Sequence, residues 1–230
     1  GIVLQIVKDG ASEGQYFHLF GDPAMRIPIP NKTITISDVS PDTLETLGIA
    51  TFNGTQTEIP GFGNGYNTLI DANRSVTREY QISSETHSLS YTLPGATLFR
   101  GQFSFSGENF SGDIRIPQDI SYSTDPARLM IYVHDNEKEA IGVMGEIQLT
   151  GGEGTNDTFG PQISFETISG QKLENGDHFS ESEDLIIRFS DPLGINLTNE
   201  SGHEIQVTDL ETGNSETITQ DFYYDQNSII

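Results

Sequence analysis

Leu98-Phe99-Arg100-Gly101-Gln102-Phe103-Ser104-Phe105 alternates aromatic with polar or small residues from Phe99 onward. Successive side chains of a strand point to opposite faces, so Phe99, Phe103 and Phe105 share one side and Arg100, Gln102 and Ser104 the other. That is the pattern of a half-buried β-strand. Working outward, the same period of two recurs over 33–37, 48–52, 66–70, 77–82, 113–116, 128–134 and 141–149, with Gly, Pro, Asn and Asp between the runs. Short strands at this spacing predict a two-sheet β-sandwich over residues 31–152. One interruption reads as helical, over 40–47, where Ser40 can cap, Pro41 suits the first helical position and Asp42 favours the positive end. Gly61-Phe62-Gly63-Asn64-Gly65 reads as a hairpin or bulge loop; no helix follows it, as a nucleotide-binding glycine loop would need.

The flanks differ. Ile2, Val3, Ile6 and Val7, with Gly10 at a C-terminal cap position, predict the last turns of an amphipathic helix. The apolar run from Tyr16 to Phe20 suits a strand covered on both faces, as in an α/β layer. Residues 153–157, within Gly-Gly-Glu-Gly-Thr-Asn-Asp-Thr-Phe-Gly at 151–160, read as a linker. Beyond it, 162–167, 185–190, 204–208 and 216–219 alternate again. The 73 residues from 158 to 230 fall short of the ~100 of an immunoglobulin-like sandwich, and the last ones stop without closing a strand pair. The expectation is a truncated immunoglobulin-like β domain. The chain thus divides into 1–30, 31–152, a linker at 153–157, and 158–230, and is mainly β.

Among 230 residues, 11 Lys and Arg face 34 Asp and Glu, a net charge of −23. The imbalance is concentrated at the end, where 153–230 hold two basic against sixteen acidic residues. Such a surface repels phosphate backbones and anionic lipid heads, so nucleic acid is excluded as a partner. No apolar run approaches the ~18 residues of a membrane span, and no signal peptide opens the chain; it is expected to be cytosolic or a piece of something larger. Cysteine is absent, which removes thiolate catalysis, thiolate zinc sites and disulfides from this segment.

No catalytic or cofactor-binding residue is expected. A serine-hydrolase elbow and a phosphate loop are both missing. His18, His87, His134, His178 and His203 lack the spacing of zinc ligands, and His18 reads as a packed core residue. Two acidic clusters are the metal candidates, both for calcium, which takes six to eight oxygen ligands. One is Glu153, Asn156 and Asp157 in the linker; the other is Asp191 and Asn196, with Asn199 and Glu200 nearby. Neither has the spacing of an EF-hand loop, and solvated acidic surface is the alternative. N-x-[ST] sequons at Asn31, Asn53, Asn73, Asn109, Asn156, Asn196 and Asn199 carry little weight in so Ser/Thr-rich a chain.

Longer strings carry a resemblance. Tyr-Phe-His-Leu-Phe-Gly-Asp-Pro-Ala-Met-Arg-Ile-Pro-Ile-Pro at 16–30 resembles the stretch that closes the caspase-like catalytic domain of the gingipain family of cysteine peptidases. Asp42-Thr43-Leu44, Phe99-Arg100-Gly101, Ile116-Pro117-Gln118-Asp119-Ile120-Ser121-Tyr122, Gly151-Gly152 and Asp157-Thr158-Phe159-Gly160-Pro161-Gln162-Ile163 follow in the family's order. So do Asp191-Pro192-Leu193-Gly194-Ile195-Asn196 and Gly202-His203-Glu204-Ile205. This order is similar to the cell-surface sortases of the type IX secretion system in Bacteroidota-like bacteria. Where relatives read D-E-S-G-I-N, this chain has D-P-L-G-I-N.

The resemblance implies that residues 1–30 are the last helix and strand of a caspase-like α/β domain whose His and Cys lie upstream. It implies a parent that removes C-terminal sorting domains from secreted cargo by thiolate attack and can pass the acyl group to lipopolysaccharide. It further implies that the β segment here would serve as a non-catalytic scaffold or recognition part at the cell surface. Its expected partners are its own upstream catalytic domain, cargo proteins and secretion-system components. A surface adhesin or carbohydrate-binding module with calcium at the linker, and the β region of a secreted gingipain-type peptidase, are the competing readings.

Overall fold

A computed structural model describes residues 29–152, 159–180, 182–199 and 202–230. The expected helix and strand within 1–28 and the linker at 153–157 lie outside the described residues. Residues 32–230 cluster as one compact unit. Its strands are β1 (Thr35–Ser40), β2 (Thr43–Glu45), β3 (Ile49–Thr55), β4 (Phe62–Ile70), β5 (Arg74–Ile82), β6 (Glu85–Leu93), β7 (Thr97–Ser106), β8 (Asn109–Arg115), β9 (Ala127–His134) and β10 (Glu139–Thr150). There follow β11 (Gln162–Thr167), β12 (Lys172–Leu173), β13 (Leu185–Ser190), β14 (Gln206–Thr208), β15 (Ser215–Thr217) and β16 (Tyr224–Gln226). The chain is mainly β, as its alternation predicts.

A six-stranded sheet, β16-β7-β4-β9-β10-β2, packs against a three-stranded sheet, β1-β3-β8. The alternating run that begins at Phe99 lies in β7, and its aromatic side meets the small sheet. Phe103 packs edge-on to Phe52 at 5.3 Å between ring centroids, and lies 5.7 Å from Phe110. Leu129, Ile131 and Val133 of β9 complete a core from which water is excluded.

Gly61–Gly65 is not a loop as expected. All but Gly61 belong to β4, an interior strand of the large sheet. The reason lies on the neighbouring strand: Gly63 faces Phe105 and Gly65 faces Phe103. A Cβ built on Gly65 would sit 2.2 Å from Phe103 Cζ, and one on Gly63 2.5 Å from Phe105 Cζ. The glycines leave room for rings from β7, so the apolar matter of β4 is supplied across the ladder. The small sheet repeats the device with Phe52 against Gly112 and Gly54 against Phe110.

The helix expected over 40–47 is also absent. A cis peptide joins Ser40 to Pro41, and Thr43–Glu45 pairs in parallel with Gln148, Leu149 and Thr150 at the edge of β10. Eight residues make a marginal helix, whereas the ladder satisfies the same amides and places Leu44 in the core at 1% exposure.

The second β stretch forms a three-stranded sheet, β12-β11-β13, and a hairpin, β14-β15. Its final strand departs from expectation, because Tyr224–Gln226 does close a pair: β16 adds to the edge of β7 in parallel. Asn227 N–H donates to Gln102 O at 2.8 Å, and Arg188 of β13 bonds both Glu166 of β11 and Asp225 of β16. No described helix is long and apolar enough to cross a membrane.

Candidate functional site

Two loops meet where the β stretches join. The first follows β8. Ile116 and Ile120 are buried, and Ile116 N–H donates to Gly48 O at 3.0 Å. Between these anchors Asp119 is held at the surface. Ser121 fixes the far side of the loop, its N–H and hydroxyl donating to the buried Asp71 carboxylate at 2.7 and 3.0 Å. Asp71 also accepts Ala72 N–H at 2.7 Å, so this buried carboxylate has three donors, as burial of a charge requires.

The second loop follows β13. Asp191 is buried, and its Oδ1 accepts Leu193 N–H at 2.8 Å while its carbonyl accepts Gly194 N–H at 3.0 Å. Gly194 sits at φ 90°, a conformation glycine adopts without steric cost. The turn sends Ile195 and Leu197 into the core and leaves Asn196 between them, facing the first loop.

Asn196 Nδ2 donates to Asp119 Oδ2 at 2.7 Å and lies 3.1 Å from His203 Nδ1. His203 Nε2 lies 3.5 Å from the same Asp119 oxygen. An amide nitrogen only donates, so His203 Nδ1 is the acceptor in that contact. The three side chains lie together, with Asn196 bonded to both of the others. Asn196 Oδ1 meanwhile accepts from the amide and hydroxyl of Thr198, at 2.9 and 2.7 Å. Three of the strings that carry the family resemblance, spread from 116 to 205, therefore supply one node.

Chemically this node is a clamp. The Ser121 hydroxyl donates to Asp71 and the Thr198 hydroxyl to Asn196, so neither is offered to His203. The chain has no cysteine, hence no thiolate of its own. Of the calcium candidates, Glu153, Asn156 and Asp157 lie outside the described residues, as does Glu200. Asp191 and Asn196 are described: Asp191 Oδ1 accepts the Leu193 amide, and Asn196 Oδ1 accepts from the amide and hydroxyl of Thr198. Among the described residues no group of three or more His, Cys, Asp or Glu is placed to hold a metal. His18 lies outside the described residues, His178 is exposed, and His87 stacks on Tyr80 at 5.7 Å.

Two surfaces escaped the sequence reading. An open apolar trough of about 750 Å³ is lined by Ile163, Phe165, Leu185, Ile187, Ile205 and Val207. On the outer side of the large sheet, Tyr66, Tyr132 and His134 lie 5.5 to 6.3 Å apart at small angles, and Arg100 covers Tyr223. The Tyr132 hydroxyl donates to Glu139 at 2.8 Å, and burial, helped by that carboxylate, pushes its phenol up to about 12. The signal for the outer cluster was available, since Tyr66, Tyr132 and His134 occupy the polar-side positions of their strands.

No protein-family model matches this chain, and no curated protein matches it by sequence. Among solved structures, it is similar to dimeric latent PorU from Porphyromonas gingivalis, with a TM-score of 0.50 over 90% of this chain at 19% identity. The match covers 21% of the PorU chain, so this chain spans about a fifth of that protein's length. The likeness is one of fold.

Proposed function

We propose that this chain is a non-catalytic β segment of a cell-surface type IX secretion sortase, acting as scaffold and as a surface for cargo or secretion-machinery partners. The observation that carries the reading is the Asp119–Asn196–His203 node. Three strings of the resemblance, separate in sequence, converge on it, in a chain whose fold is similar to PorU. A cysteine peptidase needs a thiolate, a base and oxyanion donors in one pocket. The parent's catalytic region would supply these, and the cysteine-free β segment would hold that region and its substrate in register.

The test is made in the bacterium that carries the gene. Deleting 32–230 from the chromosomal copy should leave secreted cargo with its C-terminal sorting domain attached, while the remaining catalytic region still cleaves a small peptide substrate. Cargo trimmed as in the parent strain would overturn the proposal. So would peptide hydrolysis by the purified 230-residue chain that thiol reagents do not affect.

A further inference from the structure

The second β stretch leaves one of its edges bare. In the sheet β12-β11-β13, β13 is the outer strand and meets no described strand beyond β11. Which of its backbone groups face outward follows from the pairing. Ile168 N–H donates to Asp184 O at 3.0 Å, whereas Thr167 N–H turns the other way, to Gln171 O at 2.9 Å. Bonded and non-bonded pairs alternate along an antiparallel ladder. Leu185, opposite Thr167, and Ile187, opposite Phe165, therefore direct their N–H and C=O away from β11, and neither backbone has another hydrogen-bond partner among the described residues. The same two residues line the apolar trough. Ile163 and Phe165 of β11 share their face through the register, at 54% and 42% exposure, and Ile205 and Val207 complete the lining. Phe189, next along β13, already packs on Phe222 at 6.0 Å, so the open edge is short.

An unpaired edge beside an apolar trough is a template for one kind of occupant, an extended strand whose amides complete the ladder and whose alternate side chains enter the trough. We propose that β13 takes up an extended segment of a partner protein, added antiparallel to its free edge, with apolar side chains at alternate positions and Lys or Arg between them.

Charge selects the partner's sign. Residues 153–230 hold two basic residues against sixteen acidic, and one of the two, Arg188, is already bonded to Glu166 and Asp225. Glu183 and Asp184 lead into β13, Glu204 precedes β14 and lines the trough, and Glu216 stands opposite Val207. A second copy would bring the same acidic rim against this one, and an anionic segment would be repelled in the same way, whereas a cationic segment is drawn in. The ladder supplies affinity without regard to sequence, the trough requires the apolar alternation, and the rim requires the basic residues between. The inference rests on the β13 edge and the trough alone, so its failure leaves the sortase reading standing.

The probe is a capped, fluorescent Lys-Val-Lys-Val-Lys-Val-Lys peptide added to the full 230-residue chain. Fluorescence anisotropy should show saturable binding that weakens as salt rises from ~50 to ~300 mM, and the same peptide with Glu in place of Lys should not bind. In antiparallel addition the Val amides face β13 and the Lys amides face solvent. N-methylation of the Val amides should therefore weaken binding at least ~10-fold, because the ladder bonds are lost, while N-methylation of the Lys amides should leave it within ~2-fold. Ile163→Lys, in the trough, should also weaken binding. Ile82→Lys, which adds the same charge at an isoleucine 56% exposed at the end of β5, should not, with both melting temperatures unchanged as the folding control. The proposal is overturned by equal loss from the two methylated peptides, by a Glu peptide that binds as tightly as the Lys peptide, or by equal loss from the two isoleucine variants. It is overturned as well by absence of binding at ~1 mM, the outcome if another stretch of this chain or a second copy already covers the trough.

Discussion

Replacing Tyr224 by Phe isolates the bond that ties the end of the described chain to the sandwich. Tyr224 is 3% exposed. Its ring lies on Phe99 at 4.5 Å and 11°, and its hydroxyl accepts Ile195 N–H at 2.5 Å. Phe keeps the stack but leaves the amide of buried Ile195 without its acceptor, which costs about 1–3 kcal/mol. With a urea dependence of about 2–3 kcal/mol per molar, the unfolding midpoint should fall by roughly 0.3–1.5 M at unchanged slope. The alkaline limb gives an independent reading. Burial pushes the Tyr224 phenol up to about 12, partly offset by the Ile195 hydrogen bond. A folded value above the ordinary 10 means the folded state holds the proton longer than the unfolded one. The associated stability is complete below pH 10 and is lost as pH rises through 12, on the order of 2–3 kcal/mol. Tyr132 titrates in the same window, so the difference between wild type and Tyr224→Phe reports Tyr224 alone. An unchanged midpoint together with an unchanged alkaline limb would refute the tie.

Gly65→Ala should destabilise by about 1–3 kcal/mol through overpacking against Phe103. Gly145→Ala, where an added Cβ meets nothing within 4 Å, should be neutral or gain about 0.4–1 kcal/mol; equal urea midpoints for the two would refute the aromatic–glycine account. Because the Asp191 carboxylate already accepts the Leu193 amide, wild type and Asp191→Ala should show the same thermal response to added calcium. A calcium-dependent rise in melting temperature that disappears in Asp191→Ala would assign the ion to that carboxylate.

Sequence legibility followed how much of each strand's apolar content is its own. The runs at 162–167 and 185–190 match β11 and β13 because Ile163, Phe165, Ile187 and Phe189 alternate within their own segments. β4 was misread from its glycines, since what fills its face comes from Phe103 and Phe105 of β7. β2 was taken for a helix because three residues carry no period, and its pairing is decided by an edge on β10, a hundred residues away. β6 is absent from the strands expected from the sequence, although His87, Leu89, Tyr91 and Leu93 alternate with Ser and Thr. β16 was missed for a related reason: three residues that follow a polar stretch announce nothing locally, and what holds them is the edge of β7 and the ring of Phe99.

The site was less legible than the fold. Asp191 and Asn196 were singled out for their oxygens, as calcium candidates. Sequence does not display the donor set around them. Asp191 folds its own turn by accepting the Leu193 amide, and that turn presents Asn196 nitrogen, not oxygen, to Asp119. His203, which lacked any metal-ligand spacing, is the third side chain of the node. An amide that donates in two directions and accepts in a third cannot be replaced by a carboxylate without placing like charges beside Asp119. Asn196→Asp should therefore cost more stability than Asn196→Ala near pH 7, a reversal of the usual order for so conservative a change. Thermal unfolding of the two variants decides it, and an aspartate as stable as the parent asparagine would mean that the Asn196–Asp119 hydrogen bond does not form.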